Sequence, residues 1–203
     1  MSYLDAPSAN WNRRFAWLCV GVFVFRVLFT VFFCAHADLA GDEAYYWDWG
    51  RRLDWGYYSK PPMIGWLMGL VGWLTGACDI GVRMTALVLG TLTLVVIFML
   101  MRRLYDARTG FIAAVLLLLT PANTGLNLFL TIDAPLLLCW SLALLLFWLA
   151  VEKPGCWTRW LALAVVIGLG SLSKQMMLVF PLLMGVFLAI DAEKRVILRN
   201  PRL

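Results

Sequence analysis

Of the 203 residues, 63% are hydrophobic and only 14% charged, and the mean hydropathy is +0.82; a soluble domain of this size cannot hide so much apolar surface, because its surface-to-volume ratio demands more polar residues. The formal net charge of +5 is no nucleic-acid footprint, since the basic residues stand in small groups at the ends of apolar runs (Arg13, Arg14; Arg102, Arg103, Arg108; Lys194, Arg195, Arg199, Arg202), where they anchor and orient helices. A soluble enzyme and a nucleic-acid-binding domain are excluded, and the chain reads as an integral membrane protein.

The first apolar run, about Phe15 to Ala35, is too long for a signal h-region and lacks a small-residue cleavage site, so a retained span is expected over about 14–36. Residues 37–79 then form an outer loop with juxtamembrane helical pieces. Within it, Gly41-Asp42-Glu43-Ala44-Tyr45-Tyr46-Trp47 opens a helix over about 43–52, and Tyr57-Tyr58-Ser59-Lys60-Pro61-Pro62 leads into an apolar stretch from Pro62 to Ala77. At about 16 residues that stretch falls short of the ~20 that a span needs. Five further spans follow at about 80–101, 109–127, 134–151, 158–172 and 175–190. The last two share a nearly continuous apolar run, Trp157 to Ile190, which as one helix would measure roughly 50 Å against a ~30 Å hydrocarbon core. Its polar break is Ser171-Leu172-Ser173-Lys174-Gln175, so a hairpin with Lys174 at the interface is expected.

Charge decides the status of 62–77. If it does not span and Arg13 and Arg14 lie inside, the Arg102/Arg103/Arg108 loop, the Lys153/Arg159 loop and the basic tail also fall inside, while Asp38, Asp42, Glu43, Asp48 and Asp54 fall outside. The expected fold is therefore an all-α polytopic membrane protein of about six transmembrane helices plus an outer-face juxtamembrane segment, one transmembrane domain over 1–203. Gly65, Gly69, Gly72 and Gly76 form a smooth stripe on the juxtamembrane helix, a packing face that lets another segment approach closely. The five cysteines form no CxxC pair; Cys19, Cys34 and Cys139 lie inside apolar runs and read as packing residues, and the single histidine, His36, argues against a histidine-rich metal site.

The chemistry-bearing residues gather on the outer face. Asp42 and Glu43 admit two readings: acids stabilised at a helix N-terminus, or a carboxylate general base at the membrane–water boundary. Being adjacent, they point about 100° apart and need not share one job. Lys60, pinned by Pro61 and Pro62 and flanked by aromatics, is placed to bind a phosphate at headgroup level, as is Lys174; for Arg83 ordinary snorkelling is the better reading. Asp133, in Thr131-Ile132-Asp133-Ala134-Pro135, is expected to N-cap the fourth span and also falls on the face of Asp42, Lys60 and Lys174. The aromatics of the loop, Tyr45, Tyr57 and Tyr58 among them, fit an interfacial belt or a sugar-stacking surface.

Gly41-Asp42-Glu43-Ala44-Tyr45-Tyr46, followed by Leu53-Asp54-Trp55-Gly56-Tyr57-Tyr58 and Pro61-Pro62, resembles the first outer loop of glycosyltransferase family 39-type membrane enzymes of the GT-C superfamily, which include protein mannosyltransferases and lipid A aminoarabinose transferases. Thr131-Ile132-Asp133-Ala134-Pro135-Leu136 is similar to their second acidic motif, and Gly168-Leu169-Gly170 through Ser173-Lys174, with Pro181, to a further segment. The resemblance runs from about residue 14 to 190 and implies transfer of a sugar from a polyprenyl-phosphate carrier to a glycan, lipid or protein acceptor outside the cytoplasmic (inner) membrane. Both termini would then be cytoplasmic and the 37–79 loop periplasmic.

By this resemblance Asp42 matches the catalytic acid, with Glu43 its motif partner and Asp133 the second acid. Lys60 matches a basic position that engages the carrier phosphate, and Tyr45, Tyr57, Tyr58 and Lys174 join it as substrate-binding candidates. No cofactor is certain from the resemblance. A divalent metal stays open as an option, although Ser59 stands where the aminoarabinose enzymes have an acid, which weakens any inference of a metal there. The chain is also shorter than the family's usual length. Two rival readings follow: a non-catalytic or split-gene subunit working with a second membrane protein, and a transporter or flippase of lipid-linked sugars.

Overall fold

The computed structural model describes residues 6–34, 39, 41–76, 79–126 and 128–199; the expected segment ends at 36, 77 and 127, together with His36, Asp38, Arg202 and the side chains of Cys34 and Arg199, lie outside the described residues. Every regular element among the described residues is helical. Helix α1 covers Ala6–Phe29 and runs into a π turn, Thr30–Cys34; α2 covers Gly41–Gly50, α3 Met63–Thr75, α4 Asp79–Leu104, α5 Ala107–Leu119, α6 Pro121–Leu126, α7 Asp133–Glu152 and α8 Trp157–Ser173. A short 3₁₀ turn, Gln175–Leu178, leads into α9, Val179–Ile190, and a second, Lys194–Arg199, follows. The chain is an all-α membrane protein: Ser8–Phe32, Asp79–Leu104 and Asp133–Glu152 are each long and apolar enough to cross a bilayer, and Met63–Thr75, Ala107–Leu119, Trp157–Ser173 and Gln175–Ile190 are shorter apolar helices.

Several boundaries differ from expectation for identifiable reasons. The first helix begins at Ala6 rather than near 14, because polar residues extend it past the apolar run and Trp11 gives that extension a packing partner, its ring 5.4 Å from Phe111 with the Arg14 guanidinium 4.5 Å above it. The helix expected over 109–127 breaks at Thr120, which is extended (φ −70°, ψ 122°). Pro121 follows, and a residue before proline is pushed out of the helical region. The Trp157–Ile190 run divides at Lys174, also extended (φ −152°, ψ 133°).

Two contacts fix the register of the long helices. Phe15 of α1 stacks on Phe98 of α4 with ring centroids 3.9 Å apart and planes within 3°. The π turn, some four helical turns beyond Phe15, also touches α4, which extends only to Leu104 past Phe98, so α1 and α4 are antiparallel. Arg103 of α4 forks onto Glu152 of α7, with Nη2 2.7 Å from Oε2. Val96 and Leu100 pack with Leu145 above it, so α4 and α7 run in the same direction. One end of the bundle thus gathers Arg103, Glu152, Arg159 and Lys194; the other carries α2, the start of α7 and the end of α8. Within apolar α4, Thr85, Thr91 and Thr93 return their hydroxyls to carbonyls one turn back, so none needs an outside partner.

The glycine stripe of α3 is where α2 and the following loop dock. A Cβ on Gly65 would stand 2.5 Å from the Tyr57 ring, one on Gly69 2.7 Å from Leu53, and one on Gly72 3.3 Å from Trp47, while Gly50 of α2 reciprocates against Met68 and Gly69 at 2.7 Å. Gly76 serves otherwise: at φ +66° it is the left-handed C-cap of α3, its N–H on the Gly72 carbonyl. Tyr46, Trp49, Ile64, Met68, Val82, Ala86, Leu130 and Ile132 close a core beneath this platform. Gly65→Ala is expected to cost about 1–3 kcal/mol through overpacking against Tyr57 and to lower the unfolding midpoint in detergent. Gly168→Ala in α8, with nothing within 4 Å of a new Cβ, is expected to leave that midpoint unchanged or slightly raised.

Candidate functional site

The site is organised by the first turn of α2, which begins at Gly41 with Asp42 and Glu43 at its positive end. Their angular separation divides them completely. Glu43 turns inward and is 0% exposed; its Oε1 accepts the backbone N–H of Leu130 at 3.0 Å. Asp42 turns outward, is exposed, and makes no ion pair among the described residues.

Leu130 begins a four-residue segment that ties three elements together. Two residues on, the Ile132 carbonyl accepts the Ser173 hydroxyl at 2.7 Å. Next to it, Asp133 Oδ1 lies 2.6 Å from Lys174 Nζ. α2, the head of α7 and the tail of α8 are thereby joined within the span of one tetrapeptide, Leu130 to Asp133. The Asp133–Lys174 pair is about 40% exposed on each side (41% and 40%), so it contributes little stability, on the order of 0–1 kcal/mol. Asp133 is the first helical residue of α7 rather than its N-cap; Ile132 holds that position without a side-chain bond, and the carboxylate goes to Lys174 instead.

Tyr46 links the two acids. It stands four residues after Asp42, on the same helical face, and only 5% of it is exposed. Burial first, then the carboxylates of Asp42 and Asp133, and last Tyr45, hold its phenol above the ordinary range. It therefore stays protonated, a hydrogen-bond donor, throughout the neutral pH range. Sequence reasoning passed over Tyr46 as one aromatic among many; the signal available was its i+4 spacing from Asp42. Ser173 was visible as part of a polar break and of a family-like segment, with no role attached.

The loop aromatics divide by role. The Tyr57 hydroxyl accepts the Asp54 N–H at 3.2 Å and lies 3.1 Å from the Trp49 carbonyl and 3.2 Å from that of Arg52, while its ring stacks on Trp49 at 4.5 Å. That side chain organises the loop. Trp66 adds its indole N–H to the Asp54 carbonyl at 2.9 Å. Tyr58 is 99% exposed and Tyr45 45%, the latter tilted against Trp49 at 4.5 Å. Lys60 is half-buried, its carbonyl accepting the Tyr57 N–H, and it has no ion-pair partner among the described residues. The structure thus brings Asp42, Tyr46, Asp133 and Lys174 into one electrostatic neighbourhood, with Glu43 beneath them and Lys60, Tyr57 and Tyr58 in the loop that packs on α3. Among the described residues no three of His, Cys, Asp and Glu gather as metal ligands.

Residues 59–203 match the family described as dolichyl-phosphate-mannose-protein mannosyltransferase. The chain belongs to that family. Among curated relatives, a lipid A galacturonosyltransferase of Rhizobium johnstonii is 32% identical over 135 residues, 66% of this chain and 27% of that protein. An undecaprenyl phosphate-alpha-4-amino-4-deoxy-L-arabinose arabinosyl transferase of Erwinia tasmaniensis is 28% identical over 127 residues, 60% of this chain and 23% of its own length. A second transferase of that description, from Sodalis glossinidius, is 26% identical over 143 residues. The chain spans about a quarter of the length of these relatives. No solved structure matches it. Within this mannosyltransferase family match lie Lys60, Asp133 and Lys174; Asp42 and Glu43 stand ahead of it.

Glu43→Ala is expected to leave the Leu130 N–H buried without its acceptor, at a cost of about 1–3 kcal/mol, and to speed amide exchange over residues 128–132. Glu43→Gln, which keeps an acceptor oxygen, is expected to retain most of the protection. Exchange mass spectrometry of the purified protein reads both.

Proposed function

We propose that this chain carries the donor-side chemistry of a membrane glycosyltransferase that moves a sugar from a polyprenyl-phosphate carrier to an acceptor hydroxyl on the outer face of the membrane. The observation that carries the reading is the division of the acidic pair. Asp42 is exposed at a helix N-terminus, while Glu43 is wholly buried and fixes that helix to the Leu130–Asp133 segment. Family membership and the names of the relatives, all transferases, support it.

In this mechanism Asp42 takes the proton from the acceptor hydroxyl as its oxygen attacks the anomeric carbon. The bond from that carbon to the phosphate oxygen breaks, its electron pair leaves with the phosphate, and Lys60 and Lys174 neutralise the charge that develops there. Direct displacement inverts the anomeric configuration. Asp133 holds Lys174 in reach, Tyr46 spaces the two carboxylates, and Tyr45 and Tyr58 offer exposed faces for a sugar ring. The membrane arrangement that suits this chemistry is six crossings, with the short helices Ala107–Leu119, Trp157–Ser173 and Gln175–Ile190 completing three of them and α3 lying at the outer surface. The end with Arg103, Arg159 and Lys194 then faces the cytoplasm, following the usual excess of cytoplasmic positive charge.

Asp42→Asn is expected to abolish transfer while membrane insertion stays intact. The measurement is mass spectrometry of polyprenyl-phosphate-linked sugars in cells lacking the gene, complemented with wild type or the variant. A sugar carrier that accumulates in the deletion, clears with wild type and persists with Asp42→Asn supports the reading and names the donor; clearance by the variant removes Asp42 from the mechanism. No change in any carrier favours a partner subunit, and transport of labelled lipid without glycosidic cleavage favours a flippase. Lys60→Ala is expected to weaken donor binding more than Lys60→Arg in a titration, whereas equal losses would point to geometry rather than charge.

A further inference from the structure

The mechanism leaves two buried cations unused, Arg83 of α4, which the sequence led one to expect at the interface, and Arg26 of α1. Arg26, on α1, is 6% exposed, and its Nη1 is buried without a hydrogen-bond partner among the described residues, none of which forms an ion pair with it. An arginine cannot escape burial by losing its proton, and an intramembrane charge facing the protein interior marks a functional position more often than a packing one. Snorkelling does not account for it, because the side chain is enclosed while Trp17, Val20 and Phe25 of the same helix take the outward positions. Four residues on, Thr30 shares its face, is 2% exposed, and opens the π turn; π turns recur at functional sites.

Its depth connects it to the site. The Arg103–Glu152 fork fixes α7 against α4, and counting back equal numbers of residues sets Asp133 level with about Met84 of α4. The Phe15–Phe98 stack fixes antiparallel α1 against the same helix and sets Arg26 level with about Leu87. Arg26 therefore lies roughly 5 Å, about one turn, below the level of the second acid. Arg83, 3% exposed on α4, is buried at the level of Asp133 itself.

We propose that Arg26 is a phosphate-binding residue, its guanidinium engaging the phosphate of a polyprenyl-phosphate lipid from the side of α1. The assignment rests on the transfer reading above and extends it. A departing carrier phosphate carries close to two negative charges, and Lys174, one of the two lysines proposed to face it, also serves Asp133 at 2.6 Å, which leaves a role for a further cation. A planar guanidinium meets a phosphate with two parallel hydrogen bonds, and an anion there supplies the partner that Nη1 lacks.

The test is binding of undecaprenyl phosphate to the detergent-purified full chain, with undecaprenol and phosphatidic acid as controls, in wild type, Arg26→Lys and Arg26→Met. Arg26→Met is expected to weaken undecaprenyl phosphate at least tenfold and leave undecaprenol unmoved, with Arg26→Lys between. Wild-type binding that Arg26→Met does not alter overturns this assignment alone; wild-type protein that ignores undecaprenyl phosphate overturns the transfer reading and this assignment with it. Phosphatidic acid bound as tightly and lost as sharply reassigns the residue to phospholipid headgroups and overturns the carrier assignment. Should Arg26→Met not fold, undecaprenyl phosphate bearing a diazirine on its first isoprene unit decides on the wild type. Label in the α1 peptide around Arg26 supports the proposal, and label confined to other helices overturns it.

Discussion

The bond from the Leu130 N–H to the buried carboxylate of Glu43 is the tie on which the site end of the molecule depends. An acid with no exposure is costly to bury unless its oxygens are satisfied, so its presence commits α2 to one position against the segment that leads into α7. Once Glu43 faces in, helical geometry turns Asp42 out, and Tyr46, one turn on, is buried, its phenol held above the ordinary range by that burial and by the carboxylates of Asp42 and Asp133. The same tetrapeptide hands its next carbonyl to Ser173 and its last carboxylate to Lys174. One local choice therefore aligns elements that are far apart in sequence.

Glycine makes that alignment affordable. α2 and the loop after it reach α3 at distances where a side chain would force a shift, with Tyr57 on Gly65 and Leu53 on Gly69, and more loosely where Trp47 nears Gly72. The loop is then fixed by the Tyr57 hydroxyl, which lies among the Asp54 N–H and the Trp49 and Arg52 carbonyls. Its aromatic residues serve two purposes: those that face α3 build the platform, and Tyr45, Trp55 and Tyr58 remain open on its outside.

Much of this was legible in the residues. The all-helical membrane fold follows from composition and run length, the break at Lys174 from a single polar cluster, and the packing role of the glycines from their spacing. Family membership was readable in the loop motif and agrees with the match over 59–203. Other features were hidden because they depend on partners distant in sequence. Nothing near Asp133 says that its carboxylate goes to a lysine 41 residues away rather than to its own helix end. Adjacency in Asp42-Glu43 gives an angle but not which acid points inward. Arg26 sits in an apolar run where a single cation reads as an exception, and only its burial in the folded chain sets it apart.

The weakness of the Asp133–Lys174 pair has a consequence of its own. Both side chains are about 40% exposed (41% and 40%), so water competes for each and the pair is close to thermally neutral against separation. On the transfer reading proposed above, an anion presented to Lys174 meets little competition from Asp133. The lysine is thus held in a shallow well, oriented but uncommitted, and the pairing screens away as ionic strength rises.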